Sequence, residues 1–264
     1  MNRTIHKLCA WSGAMCLLIM LIGFVGLARF IPTPSPNMTT AETGRLFVQD
    51  ATTIRWGMIL SMVAATLLVP FAVSIALQMR RIEGRQPALA AIEVLLGTLF
   101  SFEFIYIIFF WQAATFRADR APELIQLLND MSWIPFIGIT GTLFLQVLVF
   151  GIAILLDKRQ QAVFPRWLGY YNIWCAIMFL PGTFNVFFKT GPLAWNGLVA
   201  FYIPVGVFGT YLLINSVYLS RAVDTQVEEE AALAGERAPH TASVAAEIAR
   251  LQSELDALSA RAAG

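Results

Sequence analysis

Apolar residues fill six long stretches of this chain, near 8–30, 56–79, 89–114, 132–156, 165–188 and 195–220, and polar residues gather between them. A membrane-spanning helix needs about 20 mainly apolar residues, and each stretch supplies that. The pattern predicts an all-α fold, with a six-span transmembrane bundle over residues 1–222. An acidic, Ala-rich linker follows over 223–242, and an amphipathic, coiled-coil-like helix over 243–262. In that last segment Val244, Ile248, Leu251, Leu255 and Leu258 recur at a/d spacing, with Glu247, Arg250, Glu254, Asp256 and Arg261 around the seam.

The segments between spans carry their own signals. Prolines at 32, 34 and 36 favour an extended entry into the first outer loop. Thr39 or Thr40 then caps a helix in which Leu46, Phe47 and Ile54 alternate with Glu42, Arg45, Asp50 and Arg55. That pattern suits an interfacial amphipathic helix. Asn37-Met38-Thr39 matches a glycosylation sequon. A second short helix is expected from Pro122, with Glu123 in its first turn. Lys189-Thr190-Gly191-Pro192 leaves room only for a tight connection, so the fifth and sixth spans form an antiparallel hairpin. Pro70, Pro135, Pro181 and Pro204 fall inside apolar stretches and are expected to kink them.

Charge sets the orientation. Arg3, Lys7, Arg80, Arg81, Arg85, Lys158, Arg159, Arg166 and Arg221 flank the spans on one side; Arg29, Arg45, Arg55, Arg117, Arg120 and Lys189 flank them on the other. The more basic side is read as cytoplasmic, which places both termini in the cytoplasm. Composition agrees with a bilayer environment: 58% of residues are hydrophobic and 13% charged, with mean hydropathy +0.67, against roughly 25% charged in soluble domains. A net charge of +1 gives no footprint for nucleic acid. Cys9, Cys16 and Cys175 read as small buried hydrophobes rather than a disulfide framework. His6 and His240 lie outside the apolar stretches, so no intramembrane haem or zinc site is expected, and no cofactor.

Few polar groups enter the apolar stretches. Glu103 lies mid-span in Phe102-Glu103-Phe104. An ionised carboxylate there costs at least about 2.5–3.5 kcal/mol, so Glu103 is expected to be neutral or paired. It reads either as a proton carrier, general acid or ligand anchor, or as a hydrogen-bonding tie to a neighbouring helix. Glu93, nearer the cytoplasmic end, is expected to snorkel or to pair with Arg85. Gln112, Gln146, Asn172, Asn185, Asn196 and Asn215 read first as interhelical hydrogen-bonding groups. Arg55, Gln112, Arg117, Asn185, Lys189, Trp195 and Asn196 share a depth near the outer leaflet. They are expected either to hold an anionic head group or to act as interfacial anchors. Phosphate-binding glycine loops, G-x-S-x-G and H-E-x-x-H are all missing from the sequence.

The runs Phe188-Lys189-Thr190-Gly191-Pro192 and Ala194-Trp195-Asn196-Gly197-Leu198, with Phe164-Pro165-Arg166-Trp167, Trp111-Gln112 and Arg117-Ala118-Asp119-Arg120, resemble a family of bacterial six-span integral membrane proteins to which no activity is attached. The resemblance covers the spans and not the tail, and it transfers no catalytic residue. Phe102-Glu103-Phe104 is also similar to the membrane-integrated terpene cyclases, which set a Glu beside aromatics inside a helix. Those proteins have seven spans and a second acid in the last one, and this chain departs from both features.

The leading expectation is a non-catalytic membrane component. It would self-associate, or join a larger complex, through the C-terminal helix, and hold a lipid-like or amphipathic ligand near the outer leaflet. The alternatives are a small-solute or lipid transporter or channel using Glu103, and a membrane enzyme acting on an apolar substrate with Glu103 as general acid.

Overall fold

The computed structural model describes residues 2–262; side chains at 236–247, 249, 253–258 and 260–262 lie outside the description. Val244, Leu255 and Leu258 of the expected seam are among those. The described chain is helical, without a strand. Its helices are α1 (Arg3–Met20), α2 (Thr40–Gln49), α3 (Ala51–Thr66), α4 (Leu68–Glu83), α5 (Ala88–Phe116), α6 (Pro122–Gly138), α7 (Gly141–Leu156), α8 (Arg166–Phe179) and α9 (Ile203–Ala262). Widened π turns occupy Leu21–Leu27 and Leu198–Tyr202, and a 3-10 helix occupies Leu180–Phe187.

Among the described residues, five helical segments are long and apolar enough to cross a membrane: Arg3–Leu27, Ala51–Glu83, Ala88–Phe116, Pro122–Leu156 and Leu198–Gly235. Residues 165–188 do not form a comparable single helix. They divide into the 14-residue α8 and the eight-residue 3-10 segment. Pro181 lacks the N–H that would reach the Ile177 carbonyl, and Gly182 sits so close to the Ile137 carbonyl that a Cβ would collide with it. The α-helix therefore stops at Phe179.

The other prolines act similarly. Pro70, which has no N–H for the Thr66 carbonyl, splits the second segment at Leu67, and the Ser101 hydroxyl donates to the adjacent Ala65 carbonyl at 2.8 Å. Pro135 precedes the break at Ile139–Thr140, where Asn185 Nδ2 donates to the Ile134 carbonyl at 3.1 Å. Pro204 opens α9 directly after a π turn. The capping signals hold as well. Thr39 and Glu42 form a reciprocal capping box on α2, and Pro122 starts α6. Glu83 accepts from the Leu89 and Ala90 N–H groups at 2.8 Å each, holding the start of α5.

Thr4–Ala222 is one compact unit; Met1–Arg3 with Val223–Gly264 is the other. In the first, the outward faces are apolar. Along α5, Leu95, Phe102, Phe109 and Phe116 recur every seventh residue and are all more than half exposed. Such a stripe is stable against hydrocarbon and not against water. The interior has two apolar clusters. One is built around Phe71, Phe150, Leu168 and Leu212, and the other around Phe30, Trp111 and Trp133. In the second unit, residues 223–242, expected as a linker, continue the helix of α9. Ala and Glu dominate there and are strong helix formers. Arg3 pairs with Asp224 at 2.7 Å.

Candidate functional site

Four interrupted helical segments of the Thr4–Ala222 unit meet at one place. The first π turn contributes Leu21, Phe24 and Val25; the α6–α7 break contributes Ile139 and Thr140; the start of α9 contributes Pro204, Val205 and Phe208; the end of α8 contributes Phe179. Phe100 and Phe104 of α5 and Phe136 of α6 close the sides. Uniform helices interdigitate their side chains, and broken ones do not, so a cavity of about 130 Å³ remains. It opens partly to the outside. Its lining is apolar apart from the Cys16 thiol and the Thr140 hydroxyl, and the latter is hydrogen-bonded to Thr183 at 2.5 Å. Aromatic rings fix its walls: Phe104 stacks on Phe208 at 6.3 Å and tilts against Phe136 at 5.3 Å.

The residues singled out by sequence are placed separately. Glu103 is half-buried on α5 and accepts from Thr142 Oγ1 of α7 at 2.6 Å. It is not part of the cavity lining, although Phe104 beside it is. Arg55 donates to both the carbonyl and the hydroxyl of Thr115, and Arg120 to the Ala113 carbonyl. These guanidinium groups satisfy the last carbonyls of α5, which its own helix leaves open. Gln112 donates to the Met62 sulfur at 3.5 Å, and Arg117 lies 5.6 Å over the Phe116 ring. Asn185 donates to the Ile134 and Gly182 carbonyls. The Lys189 carbonyl accepts from Asn37, and Trp195 Nε1 donates to the Pro34 carbonyl at 2.8 Å. Asn196 is half-buried. Among the described residues no hydrogen bond joins two members of this set. Ile248 and Leu251 of the tail seam are exposed.

Glu93 departs from its expectation. It does not reach Arg85; it is completely buried and accepts from Gln146 Nε2 of α7 at 2.8 Å. Gly97 lies one turn further along α5. A Cβ there would come within 2.8 Å of that same nitrogen and would collide with Ala72, so the glycine admits the amide. Tyr211 of α9 is also buried, its ring 6.0 Å from that of Phe71. Glu93 Oε2, Gln146 Oε1 and the Tyr211 hydroxyl make no hydrogen bond among the described residues. An orphaned buried polar atom costs roughly 1–3 kcal/mol, and native interiors hold few of them. The apolar depth of Glu93 was legible in the sequence, but its inward azimuth was not.

Asn172 and Asn215 form a reciprocal pair between α8 and α9. Each Nδ2 donates to the other's Oδ1, at 3.2 and 3.1 Å, and each also donates to a carbonyl one turn back on its own helix.

Among the described residues the chain is all-helical, and its five helices long and apolar enough to cross a membrane suggest a multi-pass helical membrane protein. Comparison with protein-family models, with curated proteins and with solved structures finds no match to the chain.

Proposed function

We propose that the chain is a non-catalytic component of a bacterial cytoplasmic membrane. In this reading it crosses the bilayer six times with both termini in the cytoplasm. It holds the apolar tail of a lipid-like or amphipathic ligand, and it associates with itself or with a larger complex through the helix beyond Ala222. The observation that carries the ligand reading is the phenylalanine-walled cavity at the helix breaks.

Length supports the sixth crossing. The 14 residues of α8 and the eight of the 3-10 segment rise about 1.5 and 2.0 Å per residue. Together they reach about 37 Å, against a hydrocarbon core of about 30 Å. With six spans the cavity falls in the outer half of the bilayer, because it draws on the ends of α1 and α6 and the starts of α7 and α9.

Size limits the ligand. An engineered apolar cavity of about 150 Å³ accommodates benzene, so 130 Å³ takes a branched or ring-bearing tail segment, not a whole lipid. A tail already in hydrocarbon gains little hydrophobic free energy on entering, so fit against the aromatic walls must supply selectivity. A transporter or an enzyme built on Glu103 draws no support from this geometry, since Glu103 does not line the cavity. For association, the exposure of Ile248 and Leu251 on the described part of the seam supports a partner helix.

Intact-mass measurement from nanodiscs tests both halves. The wild-type chain is expected to retain one tail-bearing molecule. Val205→Trp, at the half-exposed rim, is expected to lose it without a change in oligomeric mass. The Ile248→Asp/Leu251→Asp double variant is expected to keep the ligand and lose any partner. Equal retention of ligand by wild type and Val205→Trp, or retention by neither, refutes the cavity reading.

A further inference from the structure

Helices α4 and α5 touch where a Cβ on Gly97 would come within 2.4 Å of the Ala72 Cβ. From that contact to the connection at 84–87 they face each other with mostly short side chains. Val73, Ala76 and Arg80 of α4 stand three and four residues apart, and Ala90 and Val94 of α5 four apart, so each set shares one helix face. Between these faces lies an open groove of about 280 Å³. Ala76 and Ala90 are buried in it, and Ala91 is exposed at its rim. The connection is held in place: Gly84 turns the chain at φ 74°, and Glu83 accepts from the Leu89 and Ala90 N–H groups.

Arg80, in the last turn of α4, lines the groove and is exposed. Among the described residues its side chain makes no hydrogen bond or ion pair. Its charged neighbours on α4 are engaged elsewhere. Arg81 donates to the Gln78 side chain and the Ala222 carbonyl, and Glu83 holds the start of α5. An arginine stem packs along an apolar wall while its guanidinium stays at the water boundary. That planar guanidinium pairs well with phosphate oxygens. A floor of alanines leaves room for methylenes. A ligand that suits both parts carries a phosphate at one end and a hydrocarbon chain at the other. A choline head group would bring a second cation to the end where Arg80 stands, so charge favours an anionic head group.

We propose that the α4–α5 groove binds one anionic phospholipid, its phosphate on Arg80 and the first part of an acyl chain over Ala76, Ala90 and Ala91. The rise from Arg80 to Val73 gives that chain about 10 Å of contact. The groove shares no lining residue with the phenylalanine-walled cavity. The site is therefore additional to the ligand held there.

The test uses the full chain in nanodiscs of equal parts phosphatidylglycerol and phosphatidylcholine. Intact-mass measurement separates the two lipids retained by the released protein. Wild type is expected to retain one phosphatidylglycerol over phosphatidylcholine by about fivefold, the ratio that about 1 kcal/mol for a basic residue near head groups corresponds to. Arg80→Gln should bring the ratio close to one. Ala91→Phe, which fills the groove from its rim and leaves the charge unchanged, should lose the lipid. Arg166→Gln makes the same charge change outside the groove, and Val205→Trp alters only the aromatic cavity; both should keep the wild-type ratio. Equal retention of the two lipids by wild type overturns the proposal, as does full retention by Ala91→Phe. An equal fall in Arg80→Gln and Arg166→Gln would assign the preference to general surface charge, and loss in Val205→Trp would assign the lipid to the aromatic cavity; either result also overturns it.

Discussion

Replacing Asn172 by Leu tests how the α8–α9 hairpin is held. Both amides of the Asn172–Asn215 pair are fully buried, and the pair makes two reciprocal bonds. The single variant removes both and leaves the Asn215 carbonyl oxygen and one amide hydrogen facing an apolar side chain. Hydrogen bonds between membrane helices contribute about 0.6 kcal/mol on average and up to about 1.7. Orphaning the remaining partner adds part of a further 1–3 kcal/mol, roughly. The expected loss is therefore about 2–3 kcal/mol for Asn172→Leu and similar for Asn215→Leu. The double variant breaks the same two bonds and leaves no orphan, so it should cost no more than one single, and the two singles together should exceed it by at least about 2 kcal/mol. Each intrahelical bond, to Leu168 and to Tyr211, is lost with its own side chain and cancels in the cycle. Reversible unfolding in mixed detergent micelles, followed by tryptophan fluorescence, measures all four corners. A coupling below about 0.3 kcal/mol would show that the two amides act separately, and the reciprocal pair would then not be what joins these helices.

Other outcomes follow from the same geometry. Gly57→Ala would drive a methyl group into the Gly23 carbonyl and to 2.7 Å from the Ala28 nitrogen; a loss of about 1–3 kcal/mol in the same assay is expected, and a neutral result would contradict that close approach. Thr39→Ala removes the hydroxyl that accepts from the Glu42 N–H and donates to its carboxylate at 2.8 Å. It should cost α2 about 1 kcal/mol, seen as faster amide exchange confined to residues 40–49. The Thr39 N–H and hydroxyl also hold the Glu42 carboxyl below its ordinary value of 4.5. Its contribution is therefore complete above that pH and fades only as pH falls beneath it; loosening of α2 already at pH 6 would refute the assignment. Glu83→Ala strips the two acceptors from the first N–H groups of α5. A cost of about 1–2 kcal/mol is expected, with exchange rising at Leu89 and Ala90 before the rest of the helix.

What the sequence disclosed, and what it concealed, divides along a physical line. Signals local in the chain were legible. Thr39 and Glu42 stand three apart because a capping box requires it, Pro122 opens α6, and each internal proline lies within a few residues of a break. Position along a helix was also legible, since it is a count of residues. Azimuth was not, because each residue turns about 100° from the last and a small error in phase moves a side chain from lipid to core. Arg55, Gln112 and Asn185 were expected at one depth, and each is engaged by a different neighbour: a helix terminus, a sulfur and a pair of carbonyls. The same ignorance of azimuth concealed Glu93, which has the apolar surroundings of a snorkelling residue and the orientation of a core one. The apolar run 165–188 shows the complementary limit. Hydropathy counts its residues correctly, but its α-helix ends at Phe179 because Gly182 lies on the carbonyl of Ile137, some 45 positions earlier in the chain. The cavity has the same origin. It exists because four local interruptions fall together on facing helices, three of them marked by Pro135, Pro181 and Pro204 and the fourth, Leu21–Leu27, carrying no proline to announce it, and only the packed bundle sets that coincidence.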